Sequence, residues 1–116
     1  MDSKFYISYK AAMLLKEKGY NEATDYIIDE DDCMMNSHYI LNEDLSEYIC
    51  SCPTKSEAID WLESKGIVVC VYLLNLSIWG YTIIVHKDKL ILGDFFKDKN
   101  RLEVEDSVII KALELL

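Results

Sequence analysis

From Gly19 to Thr54 the chain has no lysine and no arginine, although the same 36 residues hold nine acids: Glu22, Asp25, Asp29, Glu30, Asp31, Asp32, Glu43, Asp44 and Glu47. The remaining 80 of the 116 residues carry all 12 basic side chains and 12 acids, so the whole formal charge of −9 lies in one window. An excess of that sign excludes a phosphate-binding surface over most of the molecule, and nucleic acid is not an expected partner. Apolar residues make up 51% of the chain, yet no uninterrupted run approaches the ~18–20 that cross a bilayer. No membrane span is expected. Met1-Asp2-Ser3-Lys4 leads into a polar-studded segment without a signal-peptide core, which points to a cytoplasmic protein. One proline and four unclustered glycines leave no linker, so residues 1–116 read as a single domain. Without a secretion signal, Cys33, Cys50, Cys52 and Cys70 read as free thiols rather than a disulfide framework.

The patterns that are present describe an α+β domain. Ser8 is placed to cap a helix that carries Ile7, Ala11, Leu14 and Leu15 at helical spacing and stops at Gly19. Tyr26-Ile27-Ile28 and His38-Tyr39-Ile40-Leu41 are short β-favouring runs, which predict a loose hairpin around an acidic stretch. Thr54 and Glu57 form a capping box before a helix anchored by Trp61 and closed by Gly66. Ile67–Leu73 is apolar at both alternating sets, as in a strand covered on both faces, which places Cys70 in the core. Ile78–Val85 alternates as a second strand, His86–Lys89 is a polar turn, and Leu90-Ile91-Leu92 is a third strand ending near Gly93. After a Lys97–Asn100 loop, Val108, Ile109, Ala112, Leu113 and Leu116 line a last helix. The expected order is α-β-β-α-β-β-β-α: a small antiparallel sheet, made of a three-stranded meander plus a weak N-terminal hairpin, packed by three helices.

The segments Tyr9–Tyr20 (YKAAMLLKEKGY), Cys52–Val69 (CPTKSEAIDWLESKGIVV), Trp79-Gly80-Tyr81 and Ala112–Leu116 carry a resemblance. In this combination the sequence resembles a group of small proteins of unknown function found in phages and prophages of Bacteroidales bacteria. The resemblance implies a mobile-element origin and a bacterial host cytoplasm. It brings no catalytic residue and no substrate, and the cysteines and the Asp29–Asp32 run depart from its usual pattern.

Candidate chemistry is sparse. Cys33, His38, Cys50 and Cys52 are the soft ligands of a conceivable zinc site, but the one-residue Cys50–Cys52 spacer is tighter than usual and small apolar thiols are the ordinary reading. Asp29-Glu30-Asp31-Asp32 lacks the ligand spacing and turn glycine of a calcium loop. His38 and His86 sit in no nucleophile motif, and no phosphate-cradling glycine loop occurs, so no cofactor and no enzyme activity are expected.

The acidic window has a plain reading, a solvated loop, and a sharper one, a docking surface for a basic partner. On the sharper reading Asp29, Glu30, Asp31, Asp32, Glu43, Asp44 and Glu47 engage a host or phage protein, with Tyr39 and Tyr48 beside them; Tyr9 and Tyr20 have similar polar neighbours. The function expected is then a non-enzymatic interaction protein. One alternative is a small-ligand binder that sequesters a signalling nucleotide against host defence, using Lys87, Lys89, Lys97, Lys99 and Arg101. A second is a homodimeric structural protein that pairs a sheet edge or its terminal leucines.

Overall fold

In the computed structural model, which describes residues 3–87, 89–97 and 99–116, helix α1 (Tyr9–Glu17) starts where the Ser8 side chain accepts the Ala11 amide. Asp106 fixes this corner from across the core by accepting the Ser8 amide at 2.8 Å. Gly19 ends the turn at φ +97°, where a side chain would cost ~1–2 kcal/mol.

Strands β1 (Tyr26–Asp29), β2 (Met34–Asn36) and β3 (Ile49–Cys52) form an antiparallel sheet in the order β2-β1-β3. The β1–β2 turn is tight because the Asp29 carboxylate accepts the amides of Asp31 and Cys33 at 2.9 and 3.0 Å, and this sets Met34 opposite Ile28. The second hairpin strand is therefore Met34–Asn36 and not His38–Leu41, which is a correction to the sequence reading. His38 and Tyr39 instead take φ of +50° and +63°, and the chain folds back as a loop. Asn42, almost fully buried, holds that loop by donating to the Tyr20 carbonyl at 2.7 Å and accepting the Ser51 amide at 2.8 Å. β3 adds to the expected hairpin because its partner, β1, is distant in sequence.

The capping box forms as expected at α2 (Lys55–Ser64): Thr54 Oγ1 accepts the Glu57 amide at 3.1 Å and Glu57 Oε1 the Thr54 amide at 2.9 Å. A second box, between Asn100 and Glu103, opens α3 (Arg101–Glu114). Between them β4 (Ile67–Asn75), β5 (Ile78–Val85) and β6 (Leu90–Lys97) form the meander in the order β4-β5-β6. β6 runs past the expected stop: Gly93 sits in mid-strand opposite Thr82, and Phe95 and Phe96 pair with Gly80 and Trp79. Of the two loops flanking β6, Asp88 and Asp98 lie outside the described residues.

α3 lies at the centre, against α1, α2, β4 and β5, while α1 packs on β1 and β3. Its Val104, Val108, Ile109, Ala112 and Leu113 are all fully buried. The helices thus form a layer between the two sheets, and one cluster of buried side chains draws on all three helices and both sheets. In that cluster Trp61 meets Tyr20 edge to face at 5.5 Å. The architecture is α+β.

This layering corrects one expectation. Ile67, Val69, Tyr81, Ile83 and Val85 face the helices and are buried, but Cys70, Tyr72 and Leu74 alternate onto the opposite face and are exposed. β4 is covered on one face only, and Cys70 is not a core residue. The helices that would cover the second face are already spent between the sheets.

Candidate functional site

The acidic window supplies the first sheet and the loop over it. Glu22, Asp25, Glu30, Asp31, Asp32, Glu43, Asp44 and Glu47 all have exposed side chains. Asp29 differs: it is half-buried and its carboxylate is engaged in the β1–β2 turn, so its primary role is to shape the backbone. Glu43 and Asp44 sit on a single 3-10 turn, Asn42–Asp44, docked by the buried Asn42.

The tyrosines separate into three groups. Tyr39 is 81% exposed and Tyr48 56% exposed, and both stand among the acids. Tyr9 is half-buried and its hydroxyl donates to the Tyr48 carbonyl at 3.4 Å, which ties α1 to the loop. Tyr20 is buried against Trp61 and reaches no surface, contrary to its polar sequence neighbours.

Tyr6 and Tyr26 were not singled out by the sequence, yet they line a concavity. Their rings meet edge to face at 5.3 Å, and with Asp25, His38 and Tyr39 they line an open cleft of about 590 Å³. The backbone of Tyr6 is brought there by a bridge to Thr54, so the cleft joins segments far apart in the chain. The left-handed conformations of His38 and Tyr39 aim the two side chains at its rim. Among the described residues, no protein group hydrogen-bonds the Asp25 carboxylate or the hydroxyls of Tyr6, Tyr26 and Tyr39. Burial first, then the neighbouring Tyr26 and Asp25, raises the Tyr6 phenol above its ordinary value, which keeps it a neutral donor.

The four conceivable zinc ligands do not converge. Cys50 and Cys52 lie on the core side of β3, their thiols near the carbonyls of Ile28 and Ile7, whereas Cys33 is exposed in the β1–β2 turn and His38 at the cleft. Among the described residues no group of three His, Cys, Asp or Glu side chains is arranged to hold a metal ion. Burial pushes Cys50 up to about 11, against the lowering effect of Lys16, and Cys52 up to about 12, so both stay protonated and non-nucleophilic near neutrality. The basic residues proposed for a nucleotide are also divided. Lys87 and Lys89 lie at one end of β6 and Lys97, Lys99 and Arg101 at the other, roughly 25 Å apart along an eight-residue strand. Arg101 pairs with Glu105 at 3.3 Å, and Lys99 lies over the Phe96 ring.

No helix among the described residues is long and apolar enough to cross a membrane. Comparisons with protein-family models, with curated proteins and with solved structures give no match.

Proposed function

We propose that the chain is a non-enzymatic interaction protein of phage or prophage origin that engages a basic host or phage protein through the face built from its acidic window. The observation that carries this reading is the cleft, where Tyr6 meets Tyr26, Tyr39 and the Asp25 carboxylate of the window that has neither lysine nor arginine. Aromatic faces attract a lysine or arginine head group. An unpaired carboxylate beside them supplies the charge-assisted hydrogen bond. The exposed Glu22, Glu30, Asp31, Asp32, Glu43, Asp44 and Glu47 add long-range attraction that speeds encounter and rejects acidic partners.

The test is titration of the protein with an arginine- and lysine-rich peptide, followed by amide and tyrosine ring NMR shifts. Shifts centred on Tyr6, Asp25, Tyr26 and Tyr39 that weaken as salt rises, and that vanish in Asp25→Lys with Tyr39→Ala, support the reading. Shifts scattered over the surface, or binding that survives both substitutions, overturn it.

A further inference from the structure

We propose that the outer face of the β4-β5-β6 sheet is a self-association surface, and that two copies of this chain pack these faces together across a two-fold axis. The face bears Val68, Cys70, Tyr72 and Leu74 from β4, Ile78, Gly80, Thr82 and Ile84 from β5, and Ile91, Gly93, Phe95 and Lys97 from β6. Among the described residues it holds no carboxylate, and its one charge is Lys97 at one end. In a chain of net charge −9 this is the surface through which two copies approach without opposing their acids.

Exposure on this face is unlike that of a water-facing sheet. Tyr72 is 43% exposed, Leu74 53%, Ile91 67% and Phe95 49%, and Leu76 at the tip of the β4–β5 hairpin is fully exposed. The sequence of β4, apolar at both alternating sets, is the pattern of a strand buried on two sides. The chain's own helices cover one side, so a second layer is missing from the single copy.

Shape favours a sheet as that layer. Gly80 and Gly93 leave only the small Thr82 and Cys70 side chains at the middle of the face, and the Tyr72 ring reaches across Gly80 toward the Thr82 hydroxyl at 3.4 Å, so that a Cβ added at Gly80 would come within 2.7 Å of it. Three strands of about eight residues span roughly 14 by 26 Å. With side-chain relief and the hairpin tip added, the area reaches the order of the ~600 Å² per partner at which specific interfaces begin. A second copy supplies an equal, equally apolar face at the ~10 Å spacing of packed sheets.

Sedimentation velocity of the intact chain at roughly 100 µM, above the micromolar affinity of modest interfaces, is the direct test. A dimer is expected. Ile91→Glu, on the outer face, is expected to raise the dissociation constant by about 100-fold or more through two buried like charges. Leu92→Glu, on the opposite side of the same strand, is expected to leave it within about threefold. In the unmodified chain, alkylation of Cys70 should slow as concentration rises while that of Cys33 stays constant, a readout that needs no variant. A monomer at this concentration, a dimer that survives Ile91→Glu, dissociation by Leu92→Glu alone, or a concentration-independent Cys70 rate overturns the proposal.

Discussion

The four thiols report on the fold with unusual economy, because the structure divides them into two exposed and two buried. A disulfide-exchange reagent attacks the thiolate and needs access to the sulfur. Burial raises Cys50 from 9.0 to about 11 and Cys52 from 9.0 to about 12. At pH 8 these shifts alone lower the thiolate population about 100-fold and about 1000-fold. In dilute solution, absorbance with such a reagent should show two fast thiols, Cys33 and Cys70, and two that react at least about 100-fold more slowly. All four should react at once in guanidinium. The same shifts predict a weakening of the fold in alkali. An unfolded thiol releases its proton near 9 and the folded one holds it to about 11 or 12, so stability is intact below pH 9 and declines between pH 9 and 12. Each thiol accounts for an upper bound on the order of 2–4 kcal/mol by the end of that window, against a usual total of ~5–15 kcal/mol. Urea midpoints at pH 7, 9 and 10.5 measure the decline, and a Cys50→Ala, Cys52→Ala variant should show a flatter curve from a lower start. A third thiol at the fast rate, or parallel curves for the two proteins, would refute the burial of β3 on which this reasoning rests.

Loss of either helix cap is a local test: Thr54→Ala and Asn100→Ala should each destabilise by about 1 kcal/mol, read as a fall in Tm of roughly 3–5 °C. Gly66 sits at φ +88° with open space where a Cβ would point, so Gly66→Ala should cost ~1–2 kcal/mol from backbone strain alone, measured by urea unfolding. Replacing Glu30 and Asp31 by lysine and the left-handed Asp32 (φ +60°) by asparagine, while sparing the turn-forming Asp29, should move the urea midpoint by less than about 0.5 kcal/mol equivalent and weaken binding of a basic peptide.

Local signals in the sequence carried over to the structure wherever the physics is local. Ser8, the Thr54–Glu57 box and the glycines after α1 and α2 act through their own neighbours, and each stands where its chemistry requires. Features decided by distant partners were not legible. β3 reads as an unremarkable Ile-Cys-Ser-Cys until β1 lies beside it, and β6 continues through Gly93 because β5 offers hydrogen bonds opposite. Tyr20 has polar sequence neighbours yet packs on Trp61. Tyr39 and Tyr48 could be placed at the surface from their polar surroundings, but the cleft could not, since Tyr6 enters it through a bridge to Thr54. The number of layers also escapes a linear reading, which is why Cys70 was assigned to a core that a single copy does not supply.

The helical layer separates the acidic face from the apolar one, and this makes the two proposals independent. Acids belong to β1, β2 and the loop over them, on the far side of α1 and α3 from the outer face of β4-β5-β6. In a dimer closed through the apolar faces, both acidic surfaces point outward. At a Debye length of ~8 Å in physiological salt, their mutual repulsion is largely screened. Self-association should therefore persist when Glu30 and Asp31 are reversed and Asp32 is neutralised, and affinity per chain for a basic peptide should persist in Ile91→Glu. If reversing the acids also dissociates the dimer, the acids lie within the interface and the apolar face is not what joins the copies. If Ile91→Glu instead abolishes peptide binding, the binding surface spans two copies, and the cleft on a single chain is insufficient to account for it.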